Sequence, residues 1–194
     1  MLLDNRQFFV KERVALLKLT DAYDIYDPET KMQLGIARDE PPGWAKALRL
    51  IVSKHFLPTS IHVYEKEGMP ALLSLHKKAS FLRSTVNLTG NNGKLLGTFR
   101  SKLFSLGGGF FVMDALGNTF AEVKGDWKGW NFRFLDTSGR ELGIVTKKWA
   151  GLGKEMFTTA DTYMLEISEF VPPDSSIRQL IMAAVLCIDM VLKE

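Results

Sequence analysis

The sequence predicts a mainly β protein, a closed barrel of about twelve mostly antiparallel strands around a buried hydrophobic C-terminal α-helix. Three observations carry that prediction. Apolar residues alternate with period 2 through most of the chain, and turn signals separate the alternating runs. One late stretch, Leu180 to Leu192, is apolar on every side except for Asp189, as a helix enclosed by protein would be.

The elements follow in order between Gln7 and Ser168. Tyr23 to Asp27 runs into the turn signal Asp27-Pro28-Glu29-Thr30 and returns through Leu34-Gly35-Ile36. Pro41-Pro42 then opens a segment of different period. Trp44, Leu48, Ile51, Val52 and Phe56 fall at helical spacing, with Lys46, Arg49 and Lys54 off that stripe, so Gly43 to Phe56 reads as an amphipathic helix. Alternation resumes at Ile61/Val63, turns at Glu67-Gly68-Met69-Pro70, and continues at Val86/Leu88 toward Gly90-Asn91-Asn92-Gly93. Phe110 to Asp114 pairs across Ala115-Leu116-Gly117-Asn118 with Phe120 to Val123. Trp130/Phe132/Phe134 pairs across Asp136-Thr137-Ser138-Gly139 with Leu142/Ile144, and Tyr163/Leu165/Ile167 forms the last strand. Three of these hairpins share a rhythm of aromatic strand, Asp at the turn, Gly, then a strand often carrying Leu-Gly, which reads as one hairpin solution used repeatedly. After the breaker Pro172-Pro173, Ser176 to Leu192 is the final helix.

The pieces constrain each other. Eight strands close around their own side chains, whereas about twelve leave a lumen. A helix about 10–12 Å across fills it, and closure removes the exposed sheet edges. No Gly/Ser-rich linker divides the chain, so residues 1–194 read as a single domain. At 46% apolar and 24% charged, the composition excludes a disordered or low-complexity chain. The single Cys187 excludes an internal disulfide. No secretory leader is expected from the first residues, Met1 to Arg6, which lack a basic leader and an apolar core. Leu180 to Leu192 extends roughly 20 Å as a helix against a bilayer core of ~30 Å, so no transmembrane span is expected. The expected location is cytoplasmic, with peripheral association at a membrane.

The run Lys147-Lys148-Trp149-Ala150-Gly151-Leu152-Gly153-Lys154-Glu155-Met156-Phe157-Thr158-Thr159-Ala160-Asp161-Thr162-Tyr163, with Ile188-Asp189 in the last helix, resembles the signature of the phospholipid scramblase and LURP-one-related families. These belong to the Tubby C-terminal-like superfamily, and the resemblance implies a twelve-stranded barrel around a central hydrophobic helix. Scramblases are described as carrying a short acidic calcium site within this signature, on an Asp-Ala-Asp-Asn stretch. Here the corresponding residues are Thr159, Ala160, Asp161 and Thr162. Calcium takes six to eight oxygen ligands, and Asp161 with Glu166 supplies few, so no metal and no calcium dependence are expected. In this respect the chain is closer to the LURP-one-related branch.

Catalytic constellations are scarce. His55, His62 and His76 follow no zinc spacing, and Cys187 reads as a small core residue. Gly107-Gly108-Gly109 leads into a strand and not a helix N-terminus, so it is no phosphate loop. Gly90-Asn91-Asn92-Gly93-Lys94 is too short for one. Asp189 is either a proton-handling group or a carboxylate hydrogen-bonded near the barrel mouth; Glu155 and Asp161 read as structural. No enzyme and no cofactor are expected.

Charge is more informative. The net +3 divides into +8 between Pro41 and Met113, from ten Lys and Arg against Glu65 and Glu67, and −5 elsewhere. Such polarity attracts anions, and beside an anionic membrane each Lys or Arg contributes about 1 kcal/mol. Lys46, Arg49, Lys77, Lys78 and Arg83 are the candidate lipid- or anion-binding residues, with the Trp44/Phe56 segment either dipping into a membrane or packing on the barrel. Tubby domains are associated with phosphoinositide binding, which the resemblance carries over as an expectation. The expected function is a non-enzymatic module that binds anionic phospholipid headgroups or a protein partner through this basic face. Scramblase-like phospholipid translocation without the calcium site is the alternative, and nucleic acid is an unlikely partner for want of a motif.

Overall fold

The computed structural model describes residues 2–13, 20–80, 83–102, 109–126, 130–147, 161–173 and 175–192. Its strands are β1 (Gln7–Glu12), β2 (Ala22–Tyr26), β3 (Gln33–Asp39), β4 (Thr59–Tyr64), β5 (Leu73–Lys77) and β6 (Thr85–Gly90). They continue with β7 (Leu95–Ser101), β8 (Gly109–Asp114), β9 (Thr119–Asp126), β10 (Asn131–Asp136), β11 (Glu141–Thr146) and β12 (Thr162–Ile167). Each strand pairs antiparallel with its neighbours in sequence, and β1 pairs with β12 to close the barrel. Helix α2 (Ser176–Leu192) packs against β5, β6, β7, β11 and β12. Every residue from Leu180 to Val191 is buried, so the side chains of the helix form the centre of the core.

The alternation read from the sequence is the inside–outside pleat of this barrel. Ile61/Val63, Val86/Leu88, Phe132/Phe134 and Tyr163/Leu165/Ile167 are all buried. One run is corrected. Leu142 and Ile144 were expected on one face, but Gly143 and Val145 hold the inward positions and Ile144 is only half-buried. The cause is a β-bulge: Phe134 pairs with Gly143 and Leu135 with Glu141, so Leu142 is the extra residue. A one-residue slip exchanges the faces of everything beyond it.

The same device recurs and explains the repeated rhythm. Ile25 opposes Gly35 while Tyr26 opposes Gln33, which makes Leu34 the extra residue. Leu88 opposes Gly97 while Thr89 opposes Leu95, leaving Leu96. Val112 opposes Ala121 while Met113 opposes Thr119, leaving Phe120. In three of the four hairpins an Asp at the end of the preceding strand, Asp27, Asp114 or Asp136, builds the turn. Asp27 Oδ1 accepts from the backbone N–H groups of Glu29 and Thr30 at 2.9 and 2.8 Å. Asp136 Oδ1 likewise accepts from Ser138 and Arg140, both at 2.9 Å. Hydrogen bonds from the Ser138 hydroxyl and from these N–H groups hold the Asp136 carboxyl down at about 2.

At two of these bulges the glycine after the extra residue faces the helix. A Cβ at Gly97 would meet Leu180 Cδ1 at 2.9 Å, besides the Met113 carbonyl, and one at Gly143 would meet Ile181 Cγ2 at 2.9 Å. The wall must therefore be bare backbone where α2 enters. At that end the Arg178 guanidinium donates to the carbonyls of Asp4 and Asn5 at 2.7 and 2.6 Å, tying the start of the helix to the N-terminal turn Leu2–Asp4.

Gly97→Ala is expected to cost about 1–3 kcal/mol in urea unfolding through overpacking. Gly43→Ala, where an added Cβ meets nothing within 4 Å, should change stability by less than about 1 kcal/mol.

Candidate functional site

Antiparallel order sorts the connections. Five tight hairpins, 27–32, 65–72, 91–94, 115–118 and 137–140, lie at the end where α2 enters. The strand ends at Glu12, Ala22, Asp39, Thr59, Lys77, Thr85, Ser101, Gly109, Asp126, Asn131, Thr146 and Thr162 lie at the other end, the mouth, where α2 finishes. Loops carried on a rigid scaffold are where function concentrates.

At the mouth, Asp189 of α2 is buried and accepts a hydrogen bond from Tyr23 Oη of β2 at 2.5 Å and another from Tyr163 Oη of β12. Burial and the adjacent carboxylate push both phenols well above their ordinary pKa. Of the two readings of Asp189, the hydrogen-bonded carboxylate at the mouth is the one the geometry shows. The clasp extends outward. Lys147 Nζ pairs with Asp161 at 2.7 Å, lies 3.9 Å from the Trp130 ring centroid and 5.2 Å from that of Tyr163. The Trp130 and Tyr163 rings lie against each other tilted by 40°, with centroids 5.2 Å apart. Three residues of the signature run, Lys147, Asp161 and Tyr163, thus fasten the end of α2 to the wall. Residues 148–160, with Glu155, Thr159 and Ala160, lie outside the described residues, as do Gly107 and Gly108. Glu166 is five residues from Asp161 along the strand, about 16 Å, so these two carboxylates do not converge.

The 40–58 connection reverses expectation. The helix is only α1 (Gly43–Leu48), followed by turns and a 3-10 turn at Lys54–Phe56. Bonds from Leu50 N–H to the Ala47 carbonyl and from Ile51 N–H to the Leu48 carbonyl tighten its last turn. The basic residues then turn inward. Arg49 forms a fully buried bidentate pair with Asp39 and reaches Thr59 Oγ1 at 3.1 Å. Lys54 Nζ pairs with Asp21 at 2.9 Å. Burial raises the Asp39 carboxyl pKa against the pull of Arg49, and such a pair contributes position more than stability. Ala45 and Leu57 are buried beneath the segment, whereas Trp44, Leu48, Leu50, Ile51 and Phe56 are exposed.

The five predicted anion-binding residues therefore separate. Arg49 is in the buried pair. Lys77 continues the inward face of Leu73 and Leu75, is 3% exposed, and donates to the Lys54 carbonyl at 3.2 Å. Lys46 and Lys78 are exposed and make no ion pair with a described residue. Arg83 is half-buried and its Nε has no hydrogen-bond partner among the described residues. Arg100, counted in the basic span but not among the five candidates, is exposed near the mouth end of β7, opposite Phe111.

Elsewhere, His62 and His76 lie on the outer wall, each bonded to a serine hydroxyl across the strand pair, His62 to Ser74 at 2.8 Å and His76 to Ser60 at 3.1 Å. The side chain of His55 lies outside the described residues. Among the described residues no three His, Cys, Asp or Glu side chains converge as a metal site. Burial pushes the Cys187 thiol pKa well up, with Lys77 opposing. The hairpin end carries an open groove of about 630 Å³ whose lining includes Asp27, Glu29, Glu141, Glu166 and Glu169 against Arg6.

The Scramblase family model matches residues 72–194, from β5 through α2. No curated protein matches the chain.

Asp189→Ala should cost roughly 2–5 kcal/mol by leaving buried hydroxyls without their acceptor, while Tyr23→Phe/Tyr163→Phe/Asp189→Leu should recover most of that loss. Raised folded-state phenol pKa values mean stability present below about pH 10 and lost as pH rises further, because only the unfolded chain ionises there. Urea midpoints from pH 8.5 to 11 should therefore fall, and fall less in Tyr23→Phe/Tyr163→Phe.

Proposed function

The chain belongs to the Scramblase family, which points to a lipid-related role at the level of the family, and we propose that it is a non-enzymatic module recognising anionic phospholipid headgroups at the barrel mouth. Lys46, Lys78 and Arg83 are the binding cations. The observation that carries the reading is Arg83, whose half-buried guanidinium has an Nε donor unmatched among the described residues, in an arc free of carboxylates from Gly68 to Met113. A phosphate oxygen supplies the acceptor. Arg49 and Lys77 hold the mouth together beneath this layer. No described helix is long and apolar enough to cross a membrane, and association is read as peripheral, from the cytoplasmic side.

Family membership favours phospholipid translocation as the second reading. Reconstitution into vesicles with fluorescent lipid separates the two: bleaching of the inner leaflet supports translocation, and binding without bleaching supports the module.

Co-sedimentation with vesicles of phosphatidylserine and phosphatidylcholine should be strong at low ionic strength and weaken as salt rises. Lys46→Glu/Lys78→Glu should weaken it at least about tenfold. Lys94→Glu, exposed on a hairpin at the opposite end, should leave it unchanged. No sedimentation at low salt removes the headgroup reading.

A further inference from the structure

We infer that the 40–58 connection is a membrane-insertion tip, whose apolar side chains enter the acyl boundary of an anionic bilayer while the cations around it hold the headgroups; this deepens the headgroup reading and rests on it. Single exposed apolar residues are ordinary. Here five fall within one connection: Trp44 is 60% exposed, Leu50 71% and Ile51 82%, with Leu48 and Phe56 also exposed. The segment is inside-out. An amphipathic stretch in a water-facing protein places its apolar stripe on the core and its charges outward. In this one Arg49 and Lys54 are turned in, onto Asp39 and Asp21. Two ion pairs, with Ala45 and Leu57 buried, fix the backbone so that the apolar stripe faces away from the barrel.

Charge decides the occupant. The cations left outward are Lys46, within α1, and Lys78, next to Lys77, which the Lys54 carbonyl joins to this segment. Lysine is depleted from the cores of protein–protein interfaces. It suits a bilayer surface, where its stem lies along apolar surface and its ammonium reaches the phosphates. Tryptophan likewise favours the membrane–water interface. An anionic bilayer meets both features, since such contacts sink an apolar face about 5–10 Å below the headgroups.

The test uses the full chain carrying Ile51→Cys, labelled with the environment-sensitive fluorophore NBD, since Cys187 is buried. With vesicles of phosphatidylserine and phosphatidylcholine, the emission should shift to the blue and rise several-fold, and lipids brominated near the headgroup should quench it. L50D/I51D, at two of the most exposed positions, should bind the same vesicles about tenfold more weakly with an unchanged urea midpoint. Salt-sensitive sedimentation with the label still in water overturns insertion and leaves the headgroup reading standing. No sedimentation overturns both. A blue shift without vesicles, with a doubled mass in solution, overturns insertion in favour of a second copy of the chain on this surface. A blue shift equal on vesicles of phosphatidylcholine alone overturns the role given to the cations.

Discussion

An apolar helix that must be enclosed on all sides governs this molecule. Leu180 to Val191 have no water-facing stripe, so α2 is stable only inside something. A sheet of twelve strands supplies the lumen, and the strand number and the helix diameter belong to one packing solution. Other features are adjustments to it. The bulges at Leu96 and Leu142 place Gly97 and Gly143 against Leu180 and Ile181, where a methyl group would force the helix away. Asp189, the charged side chain in that stretch, ends at the mouth, where Tyr23 and Tyr163 satisfy it.

Enclosing the helix also divides the surface. Four of the five hairpins at the entry end are short because side-chain-capped turns and bulges reverse the strand within a few residues. The mouth carries the 40–58 connection with its exposed apolar side chains and, beside it, Lys46 and Lys78, while the groove at the entry end is lined by five carboxylates among fourteen residues. The basic span of the charge arithmetic, Pro41 to Met113, is an arc of the wall from β4 to β8 that carries cations to both ends, Lys78 at the mouth and Lys94 at the hairpin end.

Much of the fold was legible because its signals are local. The five tight turns, the alternation and the final helix rest on residues within a few positions of each other. The rest depended on partners distant in sequence. Nothing near Arg49 indicates that Asp39 and Thr59 wait for it inside the mouth, so helical spacing read the 40–58 stripe as a face and not as an outward ridge. Lys77 is a different case. The alternation Leu73, Leu75, Lys77 already pointed it inward, and counting charge by span obscured that. The bulge at Leu142 was visible only as a Leu-Gly recurrence, whose meaning appears once Ile181 is seen opposite Gly143.

The enclosure of α2 also bears on the order of assembly. All twelve strands precede the helix in chain order, so on a translating ribosome the wall is made before its filling. The seam between β1 and β12 joins segments more than a hundred residues apart, and contacts of that separation form slowly. Until α2 arrives, inward side chains such as Phe99, Phe132 and Leu165 have no partner at the barrel axis. The nascent chain therefore passes through an interval with a greasy, unclosed sheet, when a chaperone matters most to its yield.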